Sequence, residues 1–466
     1  MYLLVLAAAC GDDGSSSSQP PAWDKTLPEA RVIGTHWADR GLTAARGIVH
    51  LHSPFSHDAC DGKPRDETTN VPNEPCLQDL RAALCTTRID FAALTDHDAS
   101  MADEEFTTLY SMRGSDQAVM NAANDQIASR ILCDDGHQVL VFIGGENDLM
   151  PIMLDHHPPG TVSERHAIYN GNDAAAADAF RAAGGLVWVA HTESKDLATL
   201  RDVTPHGIEV YNLHANIDPD IRKDYLGLPS GGALSAAAEF ADTNPGHPEP
   251  DLAMLAFLTP NLPAISKWNA LLGEGRKLAV TAGSDAHQNA IPITFADGER
   301  GDSYRRVLRW FGNIAIVADP HDPVQIEQAL ATGRMFALIE ILGTPENFDV
   351  RAIDPDGATT YEIGATVPRG SRLTVDVPTV RGLGADSKLP APVIRTRAYW
   401  IEPGGNVNEL ISTTNAQVNL NLGAPGAYRI EISIEPRHLG AYLGDLGTDM
   451  AQGEFPWIYV SPFYVE

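Results

Sequence analysis

The stretch His50-Leu51-His52-Ser53-Pro54-Phe55-Ser56-His57-Asp58 packs three histidines and an aspartate into nine residues, directly after the apolar Gly47, Ile48 and Val49. Alternate side chains of an extended strand share a face, so His50 and His52 project together and Asp58 can return from the following loop. Two imidazoles and a carboxylate at that spacing suit a divalent transition metal. Two surface histidines at a strand end would give the same letters, so the later segments decide the matter. Asp96-His97-Asp98 follows Phe91 to Thr95, Glu146 follows Val139 to Gly145, and His191 follows Leu186 to Ala190. Ser284-Asp285-Ala286-His287 follows Leu278 to Gly283, while Glu209 lies within Gly207 to Tyr211 and leads to Asn212. Random scatter would put such residues at both ends of strands and in helices; here they gather on one rim.

The elements that must position them alternate. Apolar, β-rich runs cover 46–51, 89–95, 138–144, 185–190, 207–211, 277–283 and 313–318. Helical patterns such as Leu77 to Cys85, Ala174 to Ala183 and Pro323 to Thr332 lie between them. Repeated strand–helix units imply a parallel sheet buried on both faces, and seven runs imply a closed or nearly closed α/β barrel. A doubly wound open sheet is the alternative. In barrels the chemistry sits at the carboxyl ends of the strands, where these residues fall. The long passage between runs five and six, helical over Ser235 to Phe257 and Leu262 to Leu272, reads as a lid or wall over the barrel mouth or as a surface elaboration.

After Gly343-Thr344-Pro345 the pattern changes. Phe348 to Ile353, Arg372 to Val377, Val393 to Ile401, Gln417 to Leu422, Tyr428 to Ile434 and Trp457 to Val465 alternate or run apolar, separated by Gly, Pro, Asn and Asp. This reads as an all-β, immunoglobulin-like sandwich without metal-type or nucleophile clusters, and as a brace for the barrel rather than a carbohydrate-binding module. The expected organisation is a leader and tether over 1–30, a barrel over 31–343 and a β-sandwich over 344–466.

The chain has 466 residues, 43% hydrophobic and 20% charged, enough for a sizeable core. Its formal net charge of −29 excludes a nucleic-acid surface and an anionic membrane face as partners, because no basic stripe offsets the repulsion. Met1 to Ala9 is apolar and closes with Ala7-Ala8-Ala9-Cys10, followed by Gly11-Asp12-Asp13-Gly14 and the run Ser15 to Ser18. This resembles a bacterial lipoprotein signal with its lipobox, cleaved before Cys10. It implies membrane attachment through a lipidated Cys10, with Ser15 to Pro21 as a flexible tether in the cell envelope, periplasmic or extracellular. A cytoplasmic protein with a chance apolar start is the alternative, and the stretch is too short to span a bilayer. Cys60, Cys76, Cys85 and Cys133 remain, enough for two disulfides with three connectivities. Cys60 and Cys76 bracket a Pro- and Asn-containing insert and are the favoured pair.

The ordered set of motifs resembles the PHP superfamily of metal-dependent phosphoesterases, the polymerase and histidinol phosphatase domain. The residues that carry it are His50-Leu51-His52 with Ser56 and Asp58, Thr95-Asp96-His97, His191, and Gly283-Ser284-Asp285-Ala286-His287, across roughly residues 45 to 335. The resemblance implies a distorted seven-stranded (β/α) barrel and two or three divalent ions, Zn, Mn or Fe. His50, His52, Glu146 and Asp285 resemble the first metal site. Glu146 would bridge to a second ion held by His191 and one more histidine, His156 or its neighbour His157. Asp58, His97 and His287 resemble the third site. The family has Pro after the third-motif histidine where this chain has Thr192-Glu193. A barrel followed by such a β-tail resembles the carbaryl-hydrolase-like metallohydrolase branch.

The expected chemistry is metal-assisted hydrolysis of a small phosphate ester, monoester or diester, by a bridging hydroxide and without a covalent protein nucleophile. The catalytic candidates are Asp285, His287 and His191; either histidine, or a metal-bound water, would protonate the leaving group. A carbamate or carboxylic ester hydrolase with the same metals is the alternative, and a non-catalytic metal-binding protein is the third reading. Asp96 is expected to orient a neighbouring histidine, Glu209 and Asn212 to support the ligands, and Ser56 to cap its loop. His57 reads as a supporting or solvated side chain. His36, His137, His166, His206, His214, His247, His321 and His438 read as ordinary surface or loop residues.

Overall fold

In the computed structural model of the chain, residues 20–384 and 386–466 are described. The lipobox-like start, Cys10 and the serine run therefore lie outside the described residues. Among those described, no helix is long and apolar enough to cross a membrane.

The architecture is mixed α/β. Strand Thr43–Ile48 pairs in parallel with Phe91–Leu94, which pairs in parallel with Gln138–Ile143. In a second sheet Leu186–Val189, Gly207–Asn212 and Ala279–Gly283 run parallel in that order, with Met150–Ile152 antiparallel to the first of them. The two sheets touch at two bridges, Ile143 with Leu154 and Leu51 with Ala286. Both faces of these strands are buried, which the continuous apolar runs require. Ala45, Phe91, Ala93, Leu140, Phe142, Trp188 and Ala279 meet in one core. The intervening Ala44, Ala92, Val141, Val187, Ile208 and Val280 pack into the other, together with helix residues such as Leu80, Leu84 and Phe180. The helices begin where local chemistry allows. Asn73 caps Glu74–Thr86, Asp173 caps Ala174–Ala182, and Asp322 caps Pro323–Thr332, each side chain accepting from a backbone N–H in the first turn.

The seventh run departs from a parallel barrel. Gly312–Val317 lies antiparallel to Thr43–Ile48, with Thr43 opposite Val317 and Gly47 opposite Asn313. The cause is the path before it. Helix Tyr304–Trp310 passes straight into extended backbone at Phe311. Tyr304 Oη donates to His52 O (2.9 Å), so this helix sits at the mouth and the chain enters the strand from that end. A parallel strand would have needed a crossover to the far end. Of the seven expected runs, six pair in parallel, in two groups of three, and the seventh is antiparallel.

Beyond Gly343 the described residues form strands and short 3-10 turns. Asp349–Ile353, Thr360–Glu362, Ser371–Asp376 and Gln417–Leu422 make a four-stranded antiparallel sheet. Pro345–Glu346 and Thr379–Val380 pair with each other, and the remaining C-terminal strands extend the large sheet, because Phe455–Val460 pairs with Met335–Leu338 on one side and with Gly426–Glu435 on the other. The expected junction at 343/344 is therefore crossed by continuous strand pairing. Both disulfides form: the favoured Cys60–Cys76, and Cys85–Cys133.

Two predictions test this arrangement. Ending the chain at Gly343 removes the partner of Met335–Leu338 and leaves an apolar open edge, which invites intermolecular pairing. The truncated chain should aggregate in light scattering; a soluble monomer with an unchanged melt would show that 31–343 folds alone. His438 is 5% exposed, and burial pushes its pKa down from 6.5 to about 4. Below pH 6.5 the unfolded chain binds a proton that the folded chain refuses, so this residue destabilises the fold progressively from pH 6.5 to 4, by up to about 3 kcal/mol. Denaturant unfolding of His438→Gln should show that much less acid sensitivity than the parent.

Candidate metal centre

The Leu51–Ala286 bridge sets the register at the mouth, and His52 N donates to Ala286 O (3.0 Å). Side chains alternate along an extended chain, so the pairing brings His50 and His52 to the side that Asp285 and His287 face. His50 Nε2 and His52 Nε2 approach Asp285 Oδ1 to 3.3 and 3.2 Å, and His287 Nε2 lies 3.7 Å from the same atom. His191 Nε2 is 3.5 Å from Glu146 Oε1 and 3.5 Å from Asp285 Oδ2. His97 Nε2 faces Asp58 Oδ2 at 3.6 Å, and its Nδ1 faces Glu146 Oε2 at 3.1 Å. Residues from 50 to 287 thus converge at one mouth.

Three overlapping groups could each hold a cation: His50, His52 and Glu146; His50, His191 and Asp285; His52, Asp58 and His97. Within each, the donor atoms lie within 4.8 Å of one another. The fit to metal rests on more than proximity. His50 Nε2 and His52 Nε2 are buried and make no hydrogen bond, since their approach to Asp285 is off the line that such a bond needs. Buried nitrogens without partners are costly, and a cation would satisfy them. A fourth acidic group, Glu249, Asp251 and Asp297, contrasts with these. Arg305 and Arg306 bind Asp251, and Lys25 and Arg306 bind Asp297, so arginine and lysine already neutralise it.

Support behind the donors is dense. Glu209 Oε1 lies 2.8 Å from His50 Nδ1, while its Oε2 accepts from His191 N (3.0 Å) and Asn212 Nδ2 (2.7 Å). One carboxylate therefore orients two ligand segments. Its path requires glycine at 283, where a Cβ would stand 2.0 Å from Glu209 Oε1. Ser56 Oγ lies between His52 Nδ1 (3.1 Å) and Asp58 Oδ1 (2.6 Å) and accepts from His97 N. His191 and Asp285 both have φ of 48°, left-handed for side chains that resist it, at a cost of roughly 1–2 kcal/mol each.

The buried charges at the mouth compensate one another. Burial opposes ionisation of Asp285, but the His50 charge and contacts from His214, His50 and His52 hold its carboxyl well below the usual range. Burial likewise opposes protonation of His191, yet Glu193, Asp285 and Glu146 raise its pKa to about 9. His97 also rises to about 9, against burial, through Asp58 and Glu146. Raised pKa values mean that His97 and His191 carry protons at neutral pH when no cation is bound, so metal binding should release protons.

The structure brings together His50, His52, Asp58, His97, Glu146, His191, Asp285 and His287. It does not bring His156. After Glu146 the chain enters Met150–Ile152, antiparallel to Leu186–Val189, and so runs away from the mouth. His156 is exposed with Nδ1 on His157 O (2.8 Å), and His157 is buried against Tyr169 Oη and Glu104 O. His214, read from sequence as ordinary, reaches the centre instead, with Nδ1 3.1 Å from Asp285 Oδ2. The missed signal was local. Asn212 caps helix Leu213–Ile217 at a strand's carboxyl end, which places His214 in the first turn over the mouth. Asp96 binds Ser53 N and Ser53 Oγ rather than a histidine. His57 is exposed, its ring centroid 5.0 Å from that of His97. Lys195 pairs with Asp148, and Arg81 with Asp116.

No protein-family model matches the chain. No curated protein matches it either. Among solved structures, it is similar to a two-domain protein containing a predicted PHP-like metal-dependent phosphoesterase from Bacteroides vulgatus, at 12% identity and TM-score 0.34, covering 92% of this chain and 98% of that one. It is also similar to PsfC from Pseudomonas syringae, at 13% identity and TM-score 0.27, covering 58% and 82%. Likeness at that level fixes neither fold nor activity, and the reading of the centre rests on its own side chains.

Adding Zn(II) or Mn(II) to chelator-treated protein should raise its melting temperature and release protons. His50→Ala should remove most of that rise and lower bound metal in elemental analysis, His214→Ala should reduce it, and His156→Ala should leave it unchanged.

Proposed function

We propose that the chain is a metal-dependent hydrolase of small phosphate esters, monoesters or diesters. The observation that carries this reading is the set of three overlapping donor groups, two of which share His50, at a mouth built from the carboxyl ends of strands. His50, His52, Glu146 and Asp285 would hold one ion. Glu146 and His191 would hold a second with His214 in the place expected for His156, and Asp58, His97 and His287 a third. Bound divalent ions supply positive charge that acidifies water and offsets the charge developing on phosphoryl oxygens.

The chain's own residues have distinct tasks. Glu209 fixes His50 and the His191 backbone, so that both imidazoles keep one direction. Ser56 is buried with its hydroxyl engaged by three neighbours, which argues against a serine nucleophile. His214 is 41% exposed while touching Asp285, so it would be the second ion's ligand on the solvent side of the mouth. We also propose that the enzyme works outside the cytoplasm, anchored through a lipidated Cys10; the two disulfides support an oxidising compartment.

A panel of nitrophenyl phosphate mono- and diesters, nitrophenyl carboxylic esters and naphthyl carbamates, run with Mn(II) or Zn(II), tests the reading. Phosphate ester turnover should appear, vanish with chelator, and fall by roughly a hundredfold or more in Asp285→Ala. Cleavage of carbamates or carboxylic esters alone would overturn the substrate class. Turnover unchanged in Asp285→Ala would overturn the mechanism.

A further inference from the structure

Two residues past His191, Glu193 is 2% exposed, although the hydrolysis proposed above asks for no carboxylate there. Its Oε2 accepts from Asn261 Nδ2 at 2.8 Å. Its Oε1 is buried and makes no hydrogen bond. Facing that oxygen at 3.7 Å is His191 Nδ1, also buried and also without a hydrogen bond. The nearby Lys267 ammonium does not bind the carboxylate; it donates to Thr192 O (2.9 Å) and Glu193 O (2.7 Å). Two unsatisfied partners held face to face, slightly beyond bonding distance, mark a bond that forms when the imidazole turns or shifts by a few tenths of an ångström.

The frame behind Glu193 comes from one place. Asn261 is fully buried, and its Oδ1 accepts from Ala264 N, which starts helix Leu262–Gly273. Lys267 lies in the same helix, whose inner face buries Ala264, Trp268, Leu271 and Leu272. A helix from the long passage between Gly207–Asn212 and Ala279–Gly283 therefore grips the loop after His191 at the Glu193 side chain and at two of its carbonyls.

We propose that Glu193 is a positioning residue for His191, and that helix Leu262–Gly273 is the frame that holds it there. The proposal rests on the reading that a cation binds at this centre. When His191 presents Nε2 to a cation, its Nδ1–H donates to Glu193 Oε1, which fixes the tautomer and the ring direction. The backbone N–H of His191 is committed to Glu209, and Glu193 is the carboxylate that faces ring Nδ1. The passage read from sequence as a lid or surface elaboration thus serves as scaffold for a metal ligand, gripping the loop at Thr192 O, Glu193 O and the Glu193 side chain.

Titration of chelator-treated protein with Co(II), followed by its visible absorption and by calorimetry, reads this directly. Glu193→Gln keeps the side-chain shape but exchanges a carboxylate for an amide. It should weaken the ion held by His191 by about 10- to 100-fold and alter its absorption. The ion held through Asp58 and His97 should bind as before, and the metal-free melt should stay close to that of the parent. Glu193→Asp should be intermediate. Lys267→Met removes the grip on the loop from a distance and should weaken the same ion less. Parental Co(II) affinity and spectrum in Glu193→Gln would overturn the proposal. A metal-free melt lowered in both Glu193→Gln and Lys267→Met, with no selective loss of one ion, would show a merely structural role and overturn it too. Selective loss of that ion in a protein that cleaves no phosphate ester would leave the proposal standing and remove the proposed activity. Tight binding indifferent to Glu193 in an active phosphoesterase would do the reverse.

Discussion

Asp285 holds its carboxylate, 6% exposed, within 3.7 Å of five imidazole nitrogens: His50, His52 and His287 at Oδ1, and His191 and His214 at Oδ2. A single buried charge cannot satisfy five donors in directional bonds, and two of the nitrogens, His50 Nε2 and His52 Nε2, go without. The arrangement is stable as a receptor for positive charge, whether protons or metal ions, and the rest of the fold serves to keep it assembled. The strand pairing of Leu51 with Ala286 brings the two motif segments together. Glu209 and Ser56 then restrict how the rings of His50 and His52 can turn. The left-handed backbone at Asp285 and His191 is tolerated because neighbouring contacts over-determine both positions.

Much of this centre was legible in the sequence, and for a physical reason. His50, His52, Glu146, His191, Asp285 and His287 follow apolar runs directly, so their position at the strand ends is set by strand periodicity, which the sequence carries. His156 failed because its place depended on the direction taken after Glu146. Whether the chain crosses the mouth or descends as Met150–Ile152 is decided by pairing with Leu186–Val189, a contact some forty residues away. His214 was missed for the converse reason. Its signal, a capping Asn212 at a strand end, is local but weak, since asparagine caps helices in many settings.

The fold shows the same division between local and distant information. Strand and helix positions follow from hydrophobic runs and caps. The direction of Gly312–Val317 does not, because a run of apolar residues reads the same whichever end the chain enters. Nor does the merging of C-terminal strands into the large sheet: the edge of Met335–Leu338 carries no letter that says which later strand will cover it. A change from strand–helix alternation to strands alone marks a change of architecture, and here it does not mark a break in hydrogen bonding.

Gly283 extends the centre beyond its donor atoms. It contributes no ligand, yet the space its absent Cβ leaves is where Glu209 passes on its way to His50 and to the backbone of His191. One methyl group there would displace a carboxylate that aligns two separate ligands. A side chain at that position would therefore disturb His50 and the His191 backbone together, with every histidine still in place.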